Sequence, residues 1–226
     1  MKVEILHGPA NAAAKVTLAP GETCTAEAGA MIAMTDNMTL TTTTHKKGKG
    51  GILKAAKRML AGESFFLNHY QAQGQEANVL LATALPGDMV THELQNERLI
   101  VQAGSFLAAE HSVNMDMGWQ GFKSLLSGES MFWLNMSGNG KVVLSAYGCI
   151  YPIEVTDEVI VDTGHIVAFQ ETLDFKITKA GKSWVSSMLG GEGLVCKFFG
   201  RGTVWCQSHN PGSFGGTLGP MLRPRN

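Results

Sequence analysis

The sequence predicts an all-β fold built from three internal repeats of one unit. The first observation is a Gly-Glu pair that recurs at 62–63, 128–129 and 191–192. The second is an apolar element around a glycine, which reads AGAMIAM at 28–34, AGSFLAA at 103–109 and TGHIVAF at 163–169. The third is a proline element, which reads TLAPGE at 17–22, TALPGDMV at 83–90 and CIYPIEV at 149–155.

The spacing within the units is constant and has the period of a strand. Two apolar residues follow each element glycine at nine and eleven positions: Met38 and Leu40, Val113 and Met115, Leu173 and Phe175. A period of two places alternate side chains on one face of a β-strand. Pro-Gly and Asn-Gly pairs mark turns between such strands.

The repeats predict one β domain over residues 1–208, made of units at about 16–81, 82–147 and 148–208. A unit of this size buries too little of itself to be stable alone, so the copies should pack together. The last strand, GTVWCQSH, lacks the proline element that follows its counterparts, and the spare element lies near the N-terminus. We therefore expect the chain ends to meet and complete a pseudo-threefold body.

Composition limits the classes of function. The chain has 226 residues, of which 44% are hydrophobic and 16% charged, with a formal net charge of −1. This charge makes nucleic acid an unfavoured partner. MKVEILHGPA does not resemble a signal peptide, and no apolar run approaches membrane-spanning length. Four cysteines without a C-x-x-C pair are expected to be buried thiols in a reducing compartment, which predicts a cytoplasmic protein.

The first unit begins with an opening strand at 2–6, a turn at 7–11 and a meander of short strands over 14–44. The meander ends in MTLTTTT, whose branched threonines favour a half-exposed strand. The connection that follows is longer than its counterparts: 33 residues separate Gly29 from Gly62, against 24 and 27 in the later units.

That longer connection holds a basic insert at 45–58. It contains six basic residues and no acid: Lys46, Lys47, Lys49, Lys54, Lys57 and Arg58. The stretch 52–60 has the pattern of a short amphipathic helix. One hypothesis is contact with the phosphate groups of lipid or of nucleic acid. The other, which a cluster this short favours, is a solvated loop leading to a helix on the core.

The connections of the later units also predict short helices, at 118–128 and 183–191. Each carries a tryptophan, Trp119 or Trp184. A single aromatic on a short helix is more often part of a core than a ligand platform. We expect these helices to cover sheet ends or to form an oligomer contact.

The Gly-Glu pairs supply Glu63, Glu129 and Glu192, which are the weak candidates for a metal site. Around a threefold axis, three carboxylates could hold a hard cation such as Ca²⁺ or Mg²⁺. The favoured alternative is that each glutamate starts a strand and accepts a hydrogen bond from a nearby backbone donor.

No catalytic residue and no cofactor are predicted. The seven histidines lack zinc-site spacing, and H-E-x-x-H and G-x-S-x-G are absent. A Cys24 and His92 pair cannot be placed together from the sequence. The C-terminal stretch 209–226 is rich in Gly and Pro, and we expect a flexible tail.

The elements AGAMIAM, LPGDMV followed by QAGSFLA, LAGESFF and LSGESMFW resemble a known family over about residues 2–208. This is the AIM family of mitochondrial biogenesis proteins (altered inheritance of mitochondria), with its uncharacterised bacterial relatives. The resemblance implies a β-sandwich similar to TRAP, the tryptophan RNA-binding attenuation protein, and homo-oligomers. It carries no catalytic residue to this chain. The missing targeting segment departs from the mitochondrial member.

Three hypotheses of function follow. The leading one is a non-enzymatic binding or scaffolding protein that is assembled as a homo-oligomer and could also bind a protein partner. The second is a peripheral module that binds anionic lipid through the basic insert. The third is a metal-binding protein or an enzyme that uses the repeated glutamates.

Overall fold

The computed structural model describes residues 1–44, 66–116, 133–179 and 194–222, and these residues are mostly β. The first segment of the chain forms β1 (Lys2–Leu6), β2 (Ala13–Leu18), β3 (Thr23–Glu27), β4 (Met31–Met34), β5 (Met38–Thr44), β6 (Phe66–Ala72) and β7 (Ala77–Leu81). The middle segment forms β8 (Met89–Gln102), β9 (Phe106–Glu110), β10 (Val113–Asp116) and β11 (Trp133–Ser145). The last segment forms β12 (Ile150–Val155), β13 (Glu158–Asp162), β14 (Ile166–Gln170), β15 (Asp174–Lys179), β16 (Leu194–Phe199) and β17 (Gly202–Gln207).

The strands form three antiparallel sheets. The largest has the order β12-β17-β14-β8-β11-β9-β3-β6-β5, with β10 also paired to β11. The others have the orders β1-β2-β7-β4 and β13-β16-β15. In the described residues the large sheet ends at β12 and at β5, so it does not close into a barrel. The all-β class is confirmed to this level: several antiparallel sheets and one short α-helix.

Two strand pairings join the segments, and we call them the first and second junctions. In the first, Ala108 and Ala109 of β9 lie opposite Ala26 and Thr25 of β3. In the second, Ala168 and Phe169 of β14 lie opposite Val101 and Ile100 of β8. Both junctions pair an element that follows a glycine turn with the strand that precedes another such turn.

β4 and β13 each pair on one side only. β4 pairs with β7, and β13 pairs with β16, and neither has a second partner strand in the described parts of the chain. All four residues of β4 are exposed. We call these two strand edges the free edges.

The core falls into three clusters of apolar side chains, each drawn mainly from one segment of the chain and completed by residues of a neighbouring segment. β2 shows why its residues form a strand, because Ala14, Val16 and Leu18 alternate along AAKVTL and are fully buried. In the last cluster, the Phe169 ring lies 5.0 Å from Phe198 and 5.7 Å from Trp133 between ring centroids. Such edge and tilted contacts suit aromatic rings.

The C-terminal stretch differs from the flexible tail that its composition predicts. Pro211–Leu218 forms a helix, α1, and a 3-10 turn follows over Gly219–Met221. Asn210 caps the helix, since its Oδ1 accepts hydrogen bonds from the backbone N–H groups of Gly212 and Ser213. Asn at the N-cap and proline at the first position are strong start signals. These two signals outweigh the glycines of this stretch, and a short helix forms.

One cysteine also departs from expectation. Cys24, Cys196 and Cys206 are buried, and burial raises the pKa of each thiol to about 12. Cys149 is exposed, because it precedes β12 at a chain reversal instead of lying inside a strand. No cysteine in the described residues forms a disulfide.

Candidate functional site

The turns that precede β4, β9 and β14 meet around a cavity of about 500 Å³. We call it the junction cavity. Residues 27–30 line one part of the wall, and Gln102, Gly104 and Ser105 line a second. Thr163, Gly164 and Ile166 line a third. The two junctions and the two free edges therefore all begin or end at this one cavity.

Hydrogen bonds within the protein hold most of the polar wall. Gln207 uses both ends of its amide: Oε1 accepts from the Tyr147 backbone N–H at 2.9 Å, and Nε2 donates to the Gly164 carbonyl at 2.9 Å. Asn210 is occupied as the cap of α1, at the mouth of the cavity. Because both ends of the Gln207 amide and the Asn210 oxygen already have partners, these groups shape the wall and are poorly suited to bind a ligand.

Glu27 is the exception in this wall. It ends β3, is half-buried, and makes no side-chain hydrogen bond or ion pair with any other described residue. Burial raises the pKa of its carboxyl from 4.5 to about 7, because a low-dielectric site disfavours the charged form. Among the described residues that line the cavity, no other is Asp, Glu, Lys, Arg or His.

The residues that match Glu27 in the other two turns are differently satisfied. Asp162 precedes the third turn, and its Oδ1 accepts a hydrogen bond from the Gly164 N–H at 2.7 Å. Gln102 precedes the second turn, and its Oε1 accepts a long bond of 3.4 Å from the Ser105 hydroxyl. An acidic or amide residue two positions before each element glycine was the sequence signal for this site. The sequence alone could not show that only one of them faces a cavity unpaired.

The rest of the cavity wall is small and apolar. Ala30, Ala146 and Ile166 are buried there, and Ala82 and Leu85 also contribute. Ser105 and Ser145 are each 2% exposed, and the part of the lining that the structure describes contains no histidine beside them. A serine nucleophile needs an adjacent base, so this arrangement favours binding over acyl transfer.

A second, shallower groove of about 390 Å³ runs along residues 96–98 and 170–172. Its charges are already paired: the Arg98 guanidinium lies 3.0 Å from a Glu171 carboxylate oxygen, and His92 Nε2 lies 2.8 Å from Glu97. Gln170 Nε2 also donates to Glu97, at 3.3 Å. The Arg98–Glu171 and Gln170–Glu97 contacts tie β8 to the end of β14, whereas the His92–Glu97 contact lies within β8.

The sequence-predicted candidates are not brought together by the described structure. Glu63, Glu129 and Glu192, the metal candidates, lie outside the described residues. So do all six basic residues of the insert: Lys46, Lys47, Lys49, Lys54, Lys57 and Arg58. The predicted helices at 118–128 and 183–191 lie outside it as well. Within the described ranges, no three His, Cys, Asp or Glu side chains are placed to hold a metal ion. No described helix is long and apolar enough to cross a membrane.

Known proteins are similar to this chain in sequence and in fold. An uncharacterised protein of Streptococcus pyogenes serotype M6 is 31% identical over 210 residues, which cover 90% of this chain and 84% of that protein. A Streptococcus pyogenes protein with a crystal structure superposes with a TM-score of 0.80 at 28% identity, over 98% of this chain and 99% of that one. The family model described as mitochondrial biogenesis AIM24 matches residues 3–209. The chain belongs to the AIM24 family.

Proposed function

We propose that this protein is a non-enzymatic binding protein whose ligand is a small organic cation held in the junction cavity. The observation that carries the proposal is Glu27, which is the one carboxylate among the described lining residues, has no partner among them, and lies in a cavity of about 500 Å³ with a mostly apolar wall. Pockets for small ligands commonly occupy about 300–1,000 Å³ and place few polar groups among apolar ones.

The charge of Glu27 selects the ligand class. A carboxylate that loses solvent without gaining a partner is costly, and a neighbouring positive charge offsets that cost. An ammonium group beside Glu27 would restore the lost stabilisation, while its alkyl portion would contact Ala30, Ala146 and Ile166. The negative charge of Glu27 would repel an anion, and a neutral alcohol would leave that charge uncompensated.

The pattern of strand pairing supports the predicted three repeats as the origin of this cavity. β4 pairs with β7, β9 with β11 and β14 with β17, and each pairing has an irregular register near the start of the element. Matched residues occur in each: Ala33 opposite Leu80, Ala108 opposite Val143, and Ala168 opposite Trp205. Three related units around a common axis would bring their turns to one point. The TRAP-like sandwich and the meeting of chain ends remain part of this proposal.

Calorimetry with matched probes tests the proposal. We would titrate n-butylammonium, n-butanol and butyrate into the protein at about pH 8, where a carboxyl with a pKa of about 7 is mostly ionised. We expect saturable binding of n-butylammonium alone, lost in Glu27→Gln and kept in Glu4→Gln, an exposed glutamate of β1. Equal binding of n-butanol, or unchanged binding by Glu27→Gln, would contradict the proposal. Native mass spectrometry of gently purified protein then identifies any co-purified cation.

The second candidate function is contact with an anionic lipid surface through the basic insert at 45–58. It is favoured by six basic residues without an acid in that stretch and is independent of the cavity. Vesicles with phosphatidylserine should retain the protein at low salt, and release it as salt rises, because screening weakens such contacts. Changing the six residues to Gln should abolish retention, whereas Lys2→Gln with Lys15→Gln should not. Retention by the six-residue variant would remove this candidate.

The cytoplasm is the compartment we propose.

A further inference from the structure

The C-terminal segment 209–218 lies on the solvent side of the junction cavity. Asn210, Pro211 and Gly212 of this segment all line the cavity. Pro211 and Gly212 are exposed, whereas Ser105 and Ala146 of the same wall are buried. The segment therefore separates the inner wall from the solvent at the mouth of the cavity. We call residues 209–218 the strap.

The start of the strap is firmly held. The Ser208 N–H donates to the Cys149 carbonyl at 2.9 Å, and the Ser208 hydroxyl oxygen accepts from the Cys149 N–H at 2.9 Å. The His209 N–H donates to the Tyr147 carbonyl at 3.2 Å. A Cβ on Gly148, whose φ is +77°, would overlap the side chains of both Ser208 and His209. This close approach fixes the start of the strap to the turn that contains Gly148.

The helix α1, which forms the rest of the strap, is held less firmly. No residue of α1 is buried. The hydrogen bonds of its cap and of the Thr217 hydroxyl join residues of the strap to each other. The helix meets the cavity wall through the Phe214 ring, whose centroid lies 5.5 Å from that of Tyr147 at an interplanar angle of 58°. A segment with so little buried surface can open without unfolding the rest of the molecule.

Asn210 stands between the firmly held start and α1. Its Oδ1 accepts hydrogen bonds from the N–H groups of Gly212 at 2.8 Å and Ser213 at 3.3 Å, which sets where the helix begins. Its side chain also lies so close to Gly164 that a Cβ on this glycine would overlap it. Residues at the end of an element commonly absorb the backbone rotation of a hinge. A rotation at Asn210 would lift α1 from the cavity as one unit.

We infer that the strap is a gate, which lifts at Asn210 before a ligand enters or leaves the junction cavity. Phe214 keeps the gate shut, since its ring holds α1 against Tyr147. One aromatic contact is weak enough to break often, and its preferred geometry restores one closed position. The inference rests on the proposed function in that the ligand occupies this cavity, but opening of the mouth can be measured without that ligand.

Thiol labelling of the inner wall measures the opening. Ser105→Cys places a thiol on a wall residue that is 2% exposed, and Cys149→Ser removes the exposed native thiol of the described residues. The reagent is methyl methanethiosulfonate, which is neutral and therefore independent of the charge of Glu27. Phe214→Ala in this parent protein should raise the labelling rate about threefold to tenfold, because the aromatic contact no longer opposes opening. Asn210→Ala should also raise it, since α1 then lacks its cap.

Leu218→Ala is the matched control. Leu218 and Phe214 are 37% and 40% exposed on the same helix, but Leu218 is not among the described residues that line the cavity or contact Tyr147. Its variant should label at the rate of the parent protein. Circular dichroism and the urea midpoint should be the same in all variants, because α1 contains no buried residue.

Two results would overturn the inference. One is an equal labelling rate in the parent protein, Phe214→Ala and Asn210→Ala, which would mean that the inner wall is reached by another route. The other is an equal acceleration by Leu218→Ala, which would mean that Phe214 does not hold the gate. Faster labelling of Phe214→Ala in a protein that binds no n-butylammonium would support the gate and contradict the proposed function.

Discussion

The made junctions and the free edges place similar residues in opposite environments. Three residues after their glycines, Leu107 and Val167 are fully buried, but Ile32 is 55% exposed. All three are branched aliphatic residues in a strand that follows a glycine turn. On one side, these strands β4, β9 and β14 pair in the same way with β7, β11 and β17. The difference lies in the second partner: β9 and β14 have one and β4 does not. Burial of this element therefore depends on a neighbouring strand, and its own sequence does not decide it.

The largest effect should come from truncating an aromatic in a made junction. Phe169→Ala removes a ring that contacts Phe198, Phe175 and Trp133, and we expect a loss of about 3–5 kcal/mol in the free energy of unfolding. The matched change at the free edge, Met34→Ala, should stay within about 0.5 kcal/mol in dilute protein. Urea unfolding measures both. Similar losses from the two variants would mean that β4 is covered in the single chain.

The charge of Glu27, at the end of β3, should have a smaller effect on the free energy of unfolding, and this effect should depend on pH. Burial raises the pKa of Glu27 from 4.5 to about 7, so folding favours the protonated form. The stability that Glu27 contributes is fully present below the pKa that its carboxyl has in the unfolded chain. It is lost as pH rises through about 7. Glu27→Gln should therefore unfold at higher urea than the wild type at about pH 8 and at nearly the same urea at about pH 4.

The matched residue at the free edge provides the control. Asp162 already accepts a hydrogen bond from the Gly164 N–H, so Asp162→Ala should lower stability by about 1 kcal/mol. If Glu27→Gln also lowers stability at neutral pH, then Glu27 has a partner that compensates its charge, and the cavity would lose its candidate ligand group.

The smallest effect should come from an ion pair at the second junction. Arg98 and Glu171 are 56% and 44% exposed at their side chains and lie 3.0 Å apart. A pair this open to solvent contributes about 0–1 kcal/mol and is screened by salt. Glu171→Gln should thus shift the urea midpoint only slightly at low salt and not at all at high salt. A large shift would mean that charge as well as apolar burial holds this junction together.

Local pattern predicted much of this fold, and tertiary pairing determined the rest. The alternation at Met38 and Leu40 correctly placed β5, and the spacing after Gly104 and Gly164 correctly placed β10 and β15. The same pattern could not separate the exposed Ile32 from the buried Leu107. Glu27 was missed for a similar reason, because its pKa is set by walls that come from all three segments. The repeated Gly-Glu pairs are a stronger sequence signal, but a duplication preserves such residues whether or not they bind anything.

The long middle strands also set the order in which the molecule opens in time. β8 and β11 pair along almost their whole lengths, with one irregularity at Gly138 and Asn139. The first and last segments are built from shorter strands in the corresponding places. Amides of a continuous, buried ladder exchange with solvent only when a large cooperative unit opens. Deuterium should therefore enter the two terminal segments first and reach Ile100, Val101 and Leu134 last, as the middle segment is the final part to come apart.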